Sequence, residues 1–327
     1  MFDVITFGET MIRLSPPNYC RLEQTNLLDV NVGGSELSVA TALSRLGLNV
    51  SWVSRLTDNA FGAMIRNKAR EQGVDTSNIL WTKDGRVGLY FIEFGASPRA
   101  SKVVYDRANS AISQIKPGEI NWEEVLRGAK WLHTSGITPA LSTSAARVTA
   151  EALKTAKNVG CKVSYDLNYR ARLWTEEEAK KCQEPLMEYV DILFSTEEDT
   201  GKVFGIRADS YRKVAEKLAG KFNFEVVCIT IREDMSVLRN RWTAIAYSGG
   251  KIYDDKTHDV EIVDRLGAGD SFSAGFIYGY TTGDVEKGLK FGNACAALKH
   301  SIPGDINWST LQEVEDQIKG AGLRISR

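Results

Sequence analysis

Apolar residues along this chain fall into two alternating rhythms. Short runs rich in β-branched and aromatic residues read as strands: DVITFG (3–8), NVSWVS (49–54), KWLHTS (130–135), CKVSYD (161–166), VDILFS (190–195) and EVVCITI (225–231). Between them lie segments such as SELSVATALSRLG and STSAARVTAEALKTAKNVG, whose apolar positions recur at three and four and predict amphipathic helices. Strand, helix and strand in succession require right-handed crossovers. The expected fold is therefore α/β, a mostly parallel sheet with helices on both faces. After residue 231 the rhythm changes. A hairpin from Ser236 to Asp254, turning at SGGK, precedes helical stretches near 269–283, 285–300 and 309–319.

Two segments escape the alternation. Residues 11–32 and 82–108 are polar and strand-like, and within them RVGLYFIEFG and ASKVVYDR read as paired strands. A small β-sheet lid, discontinuous over 11–32 and 82–108, on a core of 1–10, 33–81 and 109–327 accounts for both. The lid offers strand edges and apolar residues such as Phe91, Ile92 and Phe94, which predict a homodimer or higher homo-oligomer through this sheet.

Composition narrows the function classes. A chain of 327 residues buries a sizeable core. Its formal net charge of -1 creates no global field for nucleic acid or an anionic membrane, so local arginines must hold any anionic ligand. The cysteines at 20, 161, 182, 228 and 295 show no paired spacing, which argues against a zinc site or disulfide framework and fits a reducing cytoplasm. The N-terminus lacks the pattern of a signal peptide, and no apolar run approaches the ~20 residues of a membrane span. The expectation is a cytoplasmic protein. His133, His258 and His300 have no metal-ligand spacing and read as structural.

The stretch VDRLGAGDSFSAGF, Val263 to Phe276, carries the chemistry. Its glycines open a helix with apolar Phe272, Phe276 and Ile277 on one face, so the helix packs on a core and its first turn has a fixed direction. Unpaired N–H groups and the positive end of the helix dipole at Gly267, Ala268 and Gly269 form an anion site. Asp270 would repel a phosphate but suits a general base that takes a proton from a sugar hydroxyl; its plainer role is to cap the helix. A dinucleotide fingerprint needs G-x-G-x-x-G after an early strand, and a P-loop needs G-x-x-x-x-G-K-[ST]; the chain has neither, which disfavours an NAD-dependent enzyme. A second glycine pair, Gly33 and Gly34, opens another amphipathic helix. It is either a turn or a close approach of ligand to backbone.

GGSELSVATALSRLG together with DRLGAGDSFSAGF resembles the two signatures of the ribokinase (PfkB) family of carbohydrate kinases, in the same order and with the same wide separation. The resemblance implies a ribokinase-like three-layer α/β/α core with a β-lid, ATP as phosphoryl donor and Mg²⁺ on its phosphates. It makes Asp270 the catalytic base and Gly267, Ala268 and Gly269 the anion hole. Ser195, Thr230, Arg232, Ser236 and Asn293, with Gly267 and Gly269, would contact the nucleotide. The chain departs from the family at Ser38, where the first signature has asparagine, and at Ser195 in STEE, where the N-x-x-E motif has asparagine. Glu198 keeps the motif's glutamate and would organise metal-bound water, with a plain surface glutamate as the alternative. A monovalent cation stays open as a further cofactor.

Further stretches, GRVGLYFIEFGASPRASKVVYDRANSA, HTSGITPAL, YDLNYRARLW and ALKHSIPGD, resemble the branch that phosphorylates 2-keto-3-deoxygluconate at its terminal hydroxyl. That resemblance implies a small-molecule sugar acid contacting Gly34, Tyr90, Tyr105, Arg107 and Arg170, with Asp305 as a further candidate. Arg170 follows a strand, where ligands of parallel sheets gather, and an arginine fork suits a carboxylate. The alternatives are a kinase for a neutral sugar such as fructose, tagatose or ribose, and a catalytically inactive sugar-binding regulator.

Overall fold

A computed structural model describes residues 1–320. Its strands are β1 (Val4–Phe7), β2 (Met11–Ser15), β3 (Asp29–Gly33), β4 (Val50–Thr57), β5 (Ile79–Thr82), β6 (Leu89–Glu93), β7 (Lys102–Asp106), β8 (Trp131–Ser135), β9 (Lys162–Asp166), β10 (Ile192–Ser195), β11 (Val226–Ser236), β12 (Arg239–Ser248), β13 (Lys251–Asp254) and β14 (His258–Glu261). In the main sheet the order β5-β4-β1-β8-β9-β10-β11 is parallel throughout, and β12 continues it antiparallel, flanked by β13 and β14.

Alternation along the strands explains the layers. Ile5 and Phe7 of β1 join Leu132, Val163, Leu193 and Val227 in one core, with Val148 and Ala152 of helix Thr143–Asn158. Val4 faces the other way, into a core with Trp52, Trp131, Ile192, Val226, Phe272 and Phe276. Both faces of the sheet are therefore covered by helices, as a parallel sheet requires. The strand order reverses between β1 and β8, and that switch point is where ligands of open α/β sheets bind.

The six strands expected from sequence are β1, β4, β8, β9, β10 and β11, displaced by a few residues at most except at the end of β11. There the strand runs five residues further, to Ser236, because its exposed polar end pairs with β12 beyond the core and carries no apolar signal. Strands β5 and β14 were not foreseen; each has only four residues. The SGGK turn joins β12 to β13, with Gly249 and Gly250 both at positive φ.

A second, four-stranded sheet has the order β3-β2-β6-β7. Tyr90 of β6 stands opposite Tyr105 of β7, and their rings stack with centroids 5.9 Å apart. The apolar surface of this sheet differs from the expectation. Ile92 is buried, and Phe91 and Phe94 are partly covered, whereas the exposed apolar side chains are Leu27, Leu28, Val30 and Val104. No helix among the described residues is long and apolar enough to cross a membrane. The five cysteines are free.

Candidate active site

Helix Ala268–Thr281 starts from Gly267, whose φ of 81° is left-handed. A Cβ on Gly267 would stand 2.1 Å from the backbone oxygen of Asp305, so both conformation and space demand glycine. No side chain caps the helix, and Gly269 is exposed with open space where a Cβ would stand. The N–H groups of Gly267 and Gly269 are thus open to an anion, whereas that of Ala268 makes only a long bond, 3.4 Å, to the Arg265 carbonyl.

Asp270 follows on the first turn. Its Oδ1 accepts from Ser35 Oγ at 2.6 Å, and Asn168 Nδ2 donates to that hydroxyl at 3.3 Å. Burial pushes the Asp270 carboxyl up to about 6; the Ser35 bond and Arg170 oppose the rise, and Asp305 adds to it. A carboxylate so placed is a stronger base than a free one, yet remains ionised at neutral pH.

Two cavities meet at this side chain. A cleft of about 510 Å³ runs from Ser195 and Glu198 past Thr230 and Arg232 to Gly267, Ala268, Gly269 and Asp270. A pocket of about 100 Å³ lies under the small sheet, walled by Gly34, Tyr90, Tyr105, Arg107, Arg170 and Asp305. Arg170, Leu266, Gly267 and Asp270 border both. The six residues expected at the sugar therefore share one pocket, and Asp270 stands between that pocket and the cleft. A larger cavity of about 670 Å³ adjoins them beside Tyr105, Arg107, Arg170 and Arg172.

The pocket residues are not all free. Arg107 is paired with buried Glu9 and lies over the Tyr105 ring, its guanidinium carbon 5.6 Å from the centroid, whereas Arg170 is exposed. Of the two arginines, Arg170 is the one whose fork is open to a ligand. Tyr90 Oη donates to Asp305 Oδ2 at 2.6 Å. A Cβ at Gly34 would fall 2.2 Å from the carbonyl oxygen of Glu9, so this glycine serves close packing of two backbones.

Sequence reasoning missed the group beneath the pocket. Arg13 of β2, 1% exposed, donates to Asp305 Oδ1 at 2.7 Å and to Asp264 Oδ2 at 2.6 Å. Asp264 in turn accepts from the N–H groups of Leu266 (3.0 Å) and Gly304 (2.9 Å). Glu36, next to Ser35, was also missed. It is fully buried, accepts from Ser135 and Thr138, and burial raises it to about 7.

On the nucleotide side, Ser195, Thr230 and Arg232 line the cleft, and Ser195 Oγ shares a hydrogen bond with Thr200 Oγ1 at 2.9 Å. Two expected residues lie elsewhere. Asn293 is fully buried, with Nδ2 donating to Asp255 Oδ2 at 3.0 Å, and does not border the cleft. Ser236 borders a separate cavity between the small sheet and the β11–β12 hairpin. Glu198 lines the cleft but is exposed and paired with Lys202. Asp166 and Asp199 also line it, and burial raises both carboxyls. No cluster of three metal-ligating side chains occurs among the described residues. This sparse, oxygen-only set suits Mg²⁺, which keeps several waters and takes its remaining ligands from phosphates.

His133 and His300 are buried and bonded to Ser164 Oγ and the Ala296 carbonyl, and burial lowers them to about 3 and about 4. Neither is placed to carry charge at neutral pH.

The chain is similar to known proteins along nearly its whole length. The profile of the pfkB family carbohydrate kinase matches residues 1–311. The crystal structure of 2-dehydro-3-deoxygluconokinase from Thermotoga maritima superposes with a TM-score of 0.95 at 45% identity, covering 98% of this chain and 100% of that one. The 2-dehydro-3-deoxygalactonokinase of Haloferax volcanii is 38% identical over 326 residues, 99% of each chain. The 5-dehydro-2-deoxygluconokinase of Bacillus licheniformis is 31% identical over 97% of this chain and 96% of its own. The chain belongs to the pfkB family of carbohydrate kinases, phosphotransferases with an alcohol group as acceptor.

Proposed function

We propose that this kinase transfers the terminal phosphoryl of ATP to the terminal hydroxyl of 2-keto-3-deoxygluconate. The observation that carries the reading is the position of Asp270, the side chain common to an amide-lined cleft and an arginine-bearing pocket. Asp270 takes the proton of the hydroxyl as it attacks. The N–H groups at Gly267, Ala268 and Gly269 receive the charge that develops on the transferring group. Arg170 borders both cavities and fixes the sugar acid by its carboxylate or steadies the phosphoryl. Tyr90, Tyr105, Arg107, Gly34 and Asp305 shape the sugar pocket. Ser195, Thr230 and Arg232 receive the nucleotide. Bound Mg²⁺ supplies neutralisation of the triphosphate charge, and Glu198 with its neighbours Asp166 and Asp199 would hold it through water. The small sheet roofs the sugar pocket and excludes water. Its open edges and exposed Leu27, Leu28, Val30 and Val104 support a homodimer or higher homo-oligomer through that sheet.

Relatives that act on sugar acids support the substrate class, and their names include both the gluconate and the galactonate forms. The test is ADP release with Mg-ATP and a panel: 2-keto-3-deoxygluconate, its C4 epimer 2-keto-3-deoxygalactonate, fructose and ribose. The gluconate form is expected to give the highest kcat/KM. Arg170→Ala should raise KM for the acid by roughly 10–100-fold, the equivalent of ~1.5–3 kcal/mol for a charged hydrogen bond. KM for a neutral sugar should barely move. An unchanged KM for the acid, or a preference for fructose or ribose, refutes the assignment.

A further inference from the structure

Helix Val285–His300 ends beside a lysine that is sealed from water. Lys299 is 0% exposed, a burial that lysine almost never reaches without a partner. Its Nζ donates to the backbone carbonyls of Ile302, at 2.8 Å, and Asp264, at 3.3 Å. Burial depresses its pKa, while Asp264, Asp305 and Asp270 favour the charged form and Arg13 opposes it.

The two carbonyls belong to different loops. Asp264 begins the segment that leads to Gly267, and its N–H, like that of Val263, donates to the carbonyl of His300 at the end of the same helix. Ile302 begins the loop that carries Asp305 into the sugar pocket. The loops touch again where Gly304 N–H meets the Asp264 carboxylate and where Gly267 lies against the Asp305 backbone oxygen. One side of this assembly faces the anion site and the other faces the sugar. The ammonium sits at its root.

We propose that Lys299 is the positioning residue that sets the spacing of these two loops, an internal cation held between a carbonyl of the anion-hole loop and one of the sugar loop. Without it, two carbonyl dipoles face a dry space with no donor. The loops then part, and displacement of reacting groups by ~1 Å costs on the order of 10²-fold in rate.

The inference rests on phosphoryl transfer at Asp270. Turnover is therefore read as a ratio to wild type with whichever acceptor releases ADP, so a wrong sugar leaves it intact, and an Asp270→Asn control isolates failure of the base. Lys299→Ala empties the site. Its kcat is expected to fall about 10²-fold, while calorimetric affinity for MgADP stays within about threefold as a check on folding. Ammonium or methylammonium at ~100 mM should restore at least about tenfold of that loss. Tetramethylammonium, too large for the space, should restore none, and wild type should respond to neither. Lys299→Met fills the space without charge; it should lose a similar factor and resist rescue. The proposal is overturned by Lys299→Ala with kcat within about threefold of wild type, or by a loss that ammonium and tetramethylammonium leave equally untouched. Should Lys299→Ala not fold, Lys299→Met decides alone, and near-wild-type turnover there overturns the proposal.

Discussion

Replacing Asp270 by Asn should damage catalysis and strengthen the fold at the same time. The Asn side chain can still accept from Ser35, which in wild type donates to Oδ1 at 2.6 Å, so local geometry survives. It cannot take a proton, and loss of a general base costs roughly 10²–10⁴-fold in kcat. The stability effect follows from burial, which places the native carboxyl near 6. An unfolded-chain aspartate titrates near ~3.9. The native state thus holds its proton more tightly than the unfolded state. That preference favours folding fully below pH ~4 and is lost as pH rises through about 6, so the ionised side chain weakens wild type at pH 8. The gap corresponds to at most ~3 kcal/mol, and water reaching the cleft reduces it to ~1–2 kcal/mol. The neutral amide of the variant carries no such loss. Urea unfolding of both proteins at pH 4 and pH 8, with single-turnover ADP formation at pH 8, provides the assay. Expected are near-equal stabilities at pH 4, a more stable variant at pH 8, and turnover down at least ~10²-fold. Wild-type kcat/KM should itself fall below pH ~6 as the base becomes protonated. A variant that turns over normally removes Asp270 from the chemistry. A variant equally destabilised at both pH values shows that the carboxylate is a helix cap and not a strained base.

Two glycines of the anion loop should respond differently to the same substitution. Gly267→Ala combines a left-handed backbone with a Cβ 2.1 Å from a carbonyl oxygen, so stability should drop by at least ~1–2 kcal/mol and kcat by ~10²-fold or more. Gly269→Ala meets no atom and sits in a helix, so thermal unfolding should be unchanged or raised by up to ~1 kcal/mol while KM for ATP rises because the methyl occupies the phosphate approach. Equal thermal shifts in the two variants refute that distinction. Arg13→Met leaves two carboxylates without their counter-ion in a buried site and should cost ~3–5 kcal/mol in chemical denaturation. A loss below ~1 kcal/mol would show that Asp264 and Asp305 do not need the arginine.

Much of this arrangement is legible in sequence, for identifiable reasons. Parallel strands buried on both faces are runs of β-branched and aromatic residues, so β1, β8, β10 and the inner half of β11 declare themselves. Gly267 and Asp270 are legible because a left-handed turn and a first-turn carboxylate leave local marks. Arg13 left none. It lies in a strand that reads as polar, and its partners are 251 and 292 residues away. Lys299 reads as a lysine at a helix C-terminus complementing the dipole, the same signal a surface lysine gives. Asn293 misled for a related reason. Helix Val285–His300 is buried almost all round, and periodicity cannot say which of its turns borders a ligand. Asn293 and His300, seven residues apart, share a face of this helix, but only its last turn, with His300, reaches the cleft, and Asn293 two turns earlier meets Asp255 instead.

The same buried charges constrain how the small sheet can move. A hinge that lifted the whole sheet would draw Arg13 of β2 away from Asp264 and Asp305, and Tyr90 of β6 away from Asp305. Breaking the ion pairs alone costs several kcal/mol with no water to compensate. Strand β7 is tethered only at its end, where Arg107 pairs with buried Glu9; four of its own five residues are exposed, Tyr105 among them, and it stands at the sheet edge. Displacement of the start of β7 and the turn before it, with Arg107 still held by Glu9, would open the sugar pocket at the wall formed by Tyr105, while Arg13 keeps Asp305, Gly304 and the anion loop in place. Substrate access and catalytic alignment then depend on different parts of one sheet. The pocket can open without moving the amides on which phosphoryl transfer relies.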